Sequence, residues 1–140
     1  MQAERYLAID YGMKRIGIAI SDPLNIFGYP LKTLVNNKNF YKELEKLVKE
    51  YQITKIILGY PTRDDNIKSD LMIRIEELKK CLEGALKLPI EYYDEIYSSK
   101  LASQNILESV SSKKKRQNKG LVDMHAAAII LNDYIKFTAK

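Results

Sequence analysis

The order of apolar patterns along the chain predicts an α/β fold: a mixed five-stranded sheet, with three antiparallel strands followed by parallel strands, flanked by helices. Two observations lead to this prediction. The first quarter of the chain holds three strand-like segments with short links between them, which is typical of an antiparallel meander. After residue 40 the pattern alternates between helical spacing and short apolar runs, and strands joined through helices run parallel.

The first strands carry the strongest local pattern. Residues 6–10 predict a buried strand that ends in a carboxylate, and residues 15–21 alternate, with isoleucine at every second position on one face. The link between them is of hairpin length and contains Gly12. A third strand is predicted over residues 28–34, after a turn at Asp22.

The remaining elements alternate between helices and strands. Helices are predicted over residues 40–51, 67–86, 98–110 and 121–137, and strands over residues 55–60 and 90–94. Within the strand at 55–60, Ile56-Ile57-Leu58 is a continuous apolar run, which suits a central strand covered on both faces. The last helix is apolar around much of its circumference, so we expect it to be well packed.

Length and composition restrict the class of protein. A chain of 140 residues, with 46% hydrophobic and 29% charged residues, corresponds to one folded domain over residues 1–140. Its single cysteine, Cys81, excludes an internal disulfide and a paired-cysteine metal site. No secretory signal is apparent, and no apolar run approaches the roughly 20 residues that cross a bilayer. We therefore expect a cytoplasmic protein without a membrane partner.

The excess positive charge lies in one segment. The net charge is +5, and residues 111–120, called the basic segment below, contain no acidic side chain. The basic side chains of this segment are Lys113, Lys114, Lys115, Arg116 and Lys119. The rest of the chain has equal numbers of basic and acidic residues. Such a cluster attracts nucleic acid and releases counterions on binding, although a solvated loop explains the run equally well.

Three acidic positions are candidates for chemistry, because ligands of open α/β sheets bind beyond the carboxyl ends of the strands. Asp10 ends the first strand, Asp94-Glu95 ends the last strand, and Asp123 is expected in the first turn of the last helix. Alternation sends Asp94 and Glu95 to opposite faces, so only one of them reaches a shared site. Clustered carboxylates suit Mg²⁺ or Mn²⁺, and two such ions can drive phosphodiester hydrolysis. For each acid alone, a turn or capping role is the simpler explanation.

Four stretches in register point to one family. They are LAIDYGMKRIGIAISDP at 7–23, IILGYP at 56–61, YDEIYSS at 93–99, and the run from residue 114 to VDMHAAAII at 122–130. Together they resemble the YqgF/RuvX family of ribonuclease H-like proteins. Members of this family are described as pre-16S ribosomal RNA nucleases and earlier as Holliday-junction resolvases.

The resemblance implies a function and a site. It implies a ribonuclease H-like domain with an acidic triad of Asp10, Glu95 and Asp123, which are both the catalytic residues and the ligands of Mg²⁺ or Mn²⁺. The implied enzyme is a two-metal-ion endonuclease that hydrolyses phosphodiester bonds, acting in 5′-end maturation of precursor 16S ribosomal RNA.

Two departures from the family pattern bear on substrate preference. The family's arginine after Asp-Glu is Ile96 here. The family's Leu-Asn-Met-Asp-Gly is replaced by Thr-Arg-Asp-Asp-Asn at 62–66. Lys14, Arg15 and the basic segment are the candidates to replace the missing arginine. They are the predicted contacts to the nucleic-acid backbone.

Other functions remain open. A dimeric resolvase of branched DNA would keep the chemistry and change the substrate, and a nucleic-acid-binding factor with little cleavage is made plausible by Ile96. An actin-like or sugar-kinase ATPase, suggested by Asp10-Tyr11-Gly12, ranks last because the chain lacks a second lobe. We expect a monomer or a homodimer.

The histidine and tyrosine residues receive weaker assignments. His125, the only histidine, lies about 200° around the helix from Asp123, so a metal-binding role is not expected. Tyr11, Tyr60 and Tyr97 fall near predicted strand ends, where rings can stack on bases, but packing is the favoured interpretation.

Overall fold

The computed structural model describes residues 5–61, 69–94 and 119–138, with backbone alone for residues 94, 119–123, 137 and 138. The strands are β1 (Arg5–Tyr11), β2 (Arg15–Ser21), β3 (Gly28–Val35), β4 (Ile53–Tyr60) and β5 (Ile90–Asp94), and the helices are α1 (Phe40–Glu50), α2 (Asp70–Leu86) and α3 (Lys119–Thr138). The strands form one sheet in the order β3-β2-β1-β4-β5. β1, β2 and β3 pair antiparallel, whereas β4 pairs parallel with both β1 and β5. The predicted fold class is confirmed.

Most predicted elements are present, and the differences lie at their ends. β2 and β5 begin and end at the predicted residues. α2 begins at Asp70 because Ser69 caps it, its Oγ accepting a hydrogen bond from the Met72 N–H at 3.2 Å. α3 begins at Lys119 rather than 121, so the prediction that Asp123 lies in the first turn is wrong: it lies in the second. The helix predicted over 98–110 falls outside the described residues.

Alternation along the strands divides the core into two layers. On one face of the sheet, Leu7 and Ile9 of β1 pack with the isoleucines of β2 and with α1 and α2. On the other, Ala8 and Ile57 pack against α3. Ile56, Ile57 and Leu58 are all fully buried, which confirms that β4 is covered on both faces. The two layers are called the α2 face and the α3 face below.

One end of α3 is fastened to the edge strand β3 by an amide. The Asn132 side chain accepts a hydrogen bond from Gly28 N–H at 2.8 Å and donates one to Gly28 O at 2.8 Å. It thus bonds to both backbone groups of Gly28, as the backbone of a paired strand does. Gly28 is required there, because a Cβ atom would lie 2.7 Å from the Leu131 side chain. The pairing fixes both the distance of α3 from the sheet and its position along it.

A polar cluster holds the same end of α3 at the starts of the parallel strands. The Tyr134 hydroxyl donates to the Glu91 carboxylate and accepts from the Lys55 ammonium, which also forms an ion pair with Glu91. The Tyr6 ring meets the Tyr134 ring edge-on at 5.7 Å between centroids. Because Tyr6, Lys55 and Glu91 lie near the amino ends of β1, β4 and β5, α3 runs from the carboxyl ends of these strands towards their amino ends. In the described part of the chain, no helix combines the length and apolarity needed to span a membrane.

Replacing Asn132 with alanine should weaken the fold. The buried Gly28 N–H and C=O lose their partners, and each unsatisfied group costs about 1–3 kcal/mol. We expect the free energy of unfolding in urea to fall by about 2–4 kcal/mol. Lys136→Ala, an exposed position on the same helix, is the control and should change it by less than about 0.5 kcal/mol. Equal effects of the two substitutions would contradict the role given to Asn132.

The ion pair of Lys55 and Glu91 should make part of the stability depend on pH. Hydrogen bonds from Lys55 and Tyr134 hold the pKa of Glu91 below its ordinary value of 4.5. A lowered carboxyl pKa gives stability that is present above the unfolded-state pKa and lost as the pH falls through the folded-state pKa. The difference in urea midpoint between the wild type and Lys55→Met should therefore shrink between about pH 6 and about pH 3.

Lys49→Met provides the comparison, because Lys49 pairs with Glu45 on the exposed surface of α1 at 3.1 Å. Lys49→Met should change the urea midpoint by close to zero at every pH in this range, as is usual for exposed ion pairs. A difference for Lys55→Met that stays constant over this pH range would show that the ion pair does not carry the effect.

Candidate active site

Asp10 lies at the carboxyl end of the central strand, on the α3 face. Tyr6 and Ala8 of the same strand pack in the α3 layer, and alternation places Asp10 on their side. Its side chain is half-buried. Gly17 lies opposite in β2, and Gly59 follows Leu58, the β4 partner of Ile9. The residues beside the carboxylate therefore carry no side chains, an arrangement that lets a ligand or another backbone approach closely.

The turn that follows Asp10 is tightly closed. A Cβ atom on Gly12 would lie 2.5 Å from the Arg15 carbonyl oxygen, so no other residue fits without a backbone shift. Asn36, just after β3, donates its Nδ2 to Gly12 O at 2.8 Å and its N–H to Lys14 O at 2.9 Å. Asn36 was not predicted as a site residue, because its position beside this turn depends on the pairing of β2 with β3.

Small residues let the first half of α3 lie close to the sheet. Ala126 and Ala127 are fully buried, and Ala127 packs in one cluster with Ala8 and Ala19. Ala127, Ile130, Leu131 and Tyr134 form the buried stripe of the helix. Position 123 lies one turn before Ala127 on this stripe.

The predicted nucleic-acid contacts fall partly within the described residues. Lys14 is exposed and Arg15 is half-buried, both in or beside the turn that follows Asp10. Lys119 is described as the first residue of α3, by its backbone alone. Glu95 and residues 113–116 lie outside the described residues. The structure thus brings Asp10, Lys14 and Arg15 to one end of the sheet.

The donor atoms of this site suit a hard cation. The Asp10 carboxylate offers the oxygen ligands that Mg²⁺ and Mn²⁺ prefer. Among the described side chains, no three histidine, cysteine or acidic residues form a metal-binding group, and this set contains only one member of the predicted triad. Cys81 is exposed on α2, and His125 is half-buried on α3.

The aromatic and turn residues have the following positions. Tyr11 packs partly buried against the α2-face core, which confirms the packing interpretation. The Tyr60 ring packs against this core and also contacts Tyr92, with centroids 4.7 Å apart. Tyr97 lies outside the described residues. Asp22 is a turn residue, since its carboxylate accepts the N–H groups of Ile26 at 2.7 Å and Phe27 at 2.9 Å.

Similar solved structures define the fold as ribonuclease H-like. The structure of Thermus thermophilus RuvC in complex with a Holliday junction substrate matches 97% of this chain and 96% of its own, with a TM-score of 0.61 and 11% identity. Fowlpox virus resolvase, solved with substrate Holliday junction DNA, matches 97% of this chain and 99% of its own, with a TM-score of 0.56 and 12% identity. At this level of identity the similarity establishes the fold.

The chain belongs to the RuvX family, whose model, described as a Holliday junction resolvase, matches residues 4–137. A protein of Mycoplasma mobile is 42% identical over 135 residues, covering 94% of this chain and 91% of its own length. One of Bacteroides fragilis is 40% identical over 133 residues, covering 94% and 96%. Both carry the name "Putative pre-16S rRNA nuclease". The resemblance found in the sequence is confirmed.

A side chain at Gly12 should disturb the turn beside Asp10. Gly12→Ala forces the Arg15 carbonyl to move, so we expect a loss of about 1–3 kcal/mol in the free energy of unfolding. Gly84→Ala is a control of opposite sign, because a Cβ there meets nothing within 4 Å and the residue lies in α2. Alanine should stabilise that helix by about 0.5–1 kcal/mol. Urea unfolding measures both, and a neutral Gly12→Ala would contradict the close contact.

Proposed function

We propose that this protein is a metal-dependent endonuclease that hydrolyses phosphodiester bonds in nucleic acid, with precursor 16S ribosomal RNA as the favoured substrate. The observation that carries the proposal is the half-buried Asp10 carboxylate at the carboxyl end of the central strand, between two glycines and on the face crossed by α3. The names of the two relatives support the choice of substrate.

The dimensions of α3 support a place for Asp123 near Asp10. Tyr134 is fastened beside Tyr6 at the amino end of β1. From Tyr134 back to position 123 the helix is about 16 Å long, at about 1.5 Å per residue. From Tyr6 to Asp10 the strand is about 13 Å long, at about 3.3 Å per residue. Position 123 therefore comes level with the end of β1, on the stripe of α3 that packs on the sheet.

The alternation of β5 supports Glu95 rather than Asp94 as the third carboxylate. Glu91 and Tyr93 both contact Tyr134 of α3, so odd-numbered positions of this strand belong to the α3 face. Glu95 is the next odd-numbered position. The family resemblance makes the same choice, which local reasoning from the sequence had left open.

Asp10, Glu95 and Asp123 would hold Mg²⁺ or Mn²⁺, in the two-ion arrangement that the family resemblance implies. When bound, such ions lower the pKa of water and stabilise the oxygen that leaves phosphorus. The glycines beside Asp10 leave room for a phosphodiester backbone.

Lys14 and Arg15 would bind the phosphates next to the bond that is cut. They follow Asp10 in a turn that Gly12 and Asn36 hold closed, so their backbone positions are fixed relative to the carboxylate. The basic segment would extend this contact along the strand. Contacts of this kind position the backbone and do not select a base sequence.

Branched DNA is the second candidate substrate. The family model is described as a Holliday junction resolvase, and the two structural neighbours were solved with Holliday junctions. A resolvase cuts two strands symmetrically, which a homodimer achieves. Cleavage assays on precursor 16S ribosomal RNA and on branched DNA, together with the mass of the protein in solution, distinguish these two enzymes. A binding factor without cleavage is the remaining alternative, and the absence of the family's arginine at Ile96 is its support.

Asp10→Asn tests the proposed chemistry. The variant keeps the shape of the side chain and removes its charge, so cleavage of precursor 16S ribosomal RNA with Mg²⁺ or Mn²⁺ should fall by at least about 100-fold, equivalent to about 2.7 kcal/mol. Calorimetric titration with Mn²⁺ should show weaker binding. A labelled four-way DNA junction is assayed in parallel.

Glu45→Gln, which neutralises an exposed carboxylate on α1, is the matched control and should cleave like the wild type. Wild-type protein that binds either substrate but cuts neither with Mg²⁺ or Mn²⁺ would support the binding factor. Equal cleavage by Asp10→Asn and the wild type would remove Asp10 from the mechanism.

A further inference from the structure

The α2 face carries a pair of aromatic rings, one half-buried and one exposed, at the β5 edge of the sheet. Tyr60 ends β4 and Tyr92 lies in the edge strand β5, with ring centroids 4.7 Å apart and ring planes 38° apart. Tyr92 is 41% exposed, whereas its neighbour Ile90 is buried. The rings border a cavity of about 410 Å³, which is lined by Tyr60, Glu76, Lys79, Lys80, Glu83 and Tyr92. Packing accounts for Tyr60 but leaves the exposed Tyr92 ring unexplained.

The inner ring of the pair is held firmly. The Tyr60 hydroxyl donates a hydrogen bond to the Glu76 carboxylate at 2.7 Å, and this bond raises the pKa of Tyr60 to about 12. The ring is partly buried against the core of the α2 face. Tyr60 therefore forms a fixed, uncharged support behind the more exposed Tyr92.

A lysine covers Tyr92 through contacts that are easily displaced. Lys79 Nζ lies 5.3 Å from the centre of the Tyr92 ring and 3.1 Å from the Glu83 carboxylate. A cation over an exposed ring contributes about a 2- to 5-fold factor to an equilibrium, and an exposed ion pair contributes less. Stacking of a nucleobase on an aromatic side chain contributes about 5- to 150-fold. A base can therefore replace Lys79 on the ring, and the released ammonium is then free to meet a phosphate.

The charges around the cavity favour recognition of a base over recognition of a phosphate. Two lysines and two glutamates line it, so its net charge is near zero and it attracts polyanions weakly. The rings are the feature that distinguishes this place from the surrounding surface. Paired bases in a duplex are stacked on both faces, so the bases that can reach such rings are unpaired.

The pair also lies at the same end of the sheet as Asp10. Tyr60 directly follows Gly59, which comes after Leu58, the β4 partner of Ile9. β5, which carries Tyr92, lies two strands from β1, so the axes of these strands are about 10 Å apart at the usual strand spacing. Asp10 lies on the α3 face and Tyr92 on the α2 face, so a path between them is longer than this spacing and passes around the carboxyl end of β4. Stacked nucleotides advance about 3.4 Å each, so a few nucleotides are needed to cover it. A nucleic-acid strand that passes over the end of β4 would reach both places.

We propose that Tyr92, supported by Tyr60, stacks on an unpaired nucleobase a few nucleotides from the phosphodiester held at Asp10. This inference rests on the proposed function for the path of the strand. It adds a substrate preference to that function: the nucleic acid is single-stranded on the side of the cut that runs over β4 and β5.

A fluorescence titration tests the contact apart from cleavage. The chain contains no tryptophan, so Tyr92→Trp introduces a single one where the base would stack. In buffer with EDTA, a single-stranded RNA decamer should quench this fluorescence to saturation, whereas the same decamer annealed to its complement should quench it several-fold less. Phe27→Trp, at an exposed phenylalanine at the opposite end of the sheet, is the control and should not respond.

Affinity measurements complete the test. By fluorescence anisotropy of the labelled decamer, Tyr92→Ala should bind about 5- to 150-fold more weakly than the wild type, and Tyr92→Phe should restore binding because it keeps the ring. Thermal unfolding checks that each variant is folded. No quenching in Tyr92→Trp, equal quenching in Phe27→Trp, or unchanged affinity of Tyr92→Ala would each overturn the inference.

The outcomes are independent of the proposed chemistry. Quenching at position 92 in a protein that never cuts would leave the inference standing and remove the nuclease. Cleavage that depends on Asp10, without quenching at position 92, would keep the nuclease and remove the base contact.

Discussion

The position of α3 across the sheet is the constraint on which the rest of the molecule depends. One end of the helix is fastened twice, by the amide of Asn132 on Gly28 and by the Tyr134 hydroxyl between Lys55 and Glu91. Together these contacts prevent α3 from sliding along the sheet, because they join the helix to strands on opposite sides of β1. A rigid helix fixed at one end has its other end fixed as well, and that end lies where the parallel strands finish.

The two faces of the sheet then have different roles at the same edge. On the α3 face, alanine and glycine leave little side-chain volume around Asp10, so a charged backbone can come close. On the α2 face, Tyr60 and Tyr92 present rings beyond the last buried residues of β4 and β5. Because successive residues of a strand point to opposite faces, Gly59 and Tyr60 place backbone space and an aromatic ring next to each other. The end of β4 therefore connects the proposed metal site with the proposed base contact.

Patterns of neighbouring residues predicted the elements well, and contacts between distant residues escaped them. The isoleucines of β2 and the apolar run of β4 indicated which faces are buried, because burial follows the two-residue period of a strand. The start of α3 was misplaced by two residues, since helix ends depend on weak local contacts. Asn36 and Tyr92 were missed because their roles come from the pairing of β2 with β3 and from the packing of α2 against β5.

The sequence by itself determined the order of the described strands and helices, the family, and Asp10 as the acid at the carboxyl end of the first strand, because each of these follows from short-range patterns or from motifs in the family's order. The tertiary structure alone decided the direction and depth of α3, the support of the Gly12 turn by Asn36, and the meeting of Tyr60 with Tyr92. These features depend on which side chains from distant parts of the chain come within hydrogen-bonding or van der Waals distance. That proximity is fixed by strand register and helix packing, which no local pattern of residues specifies.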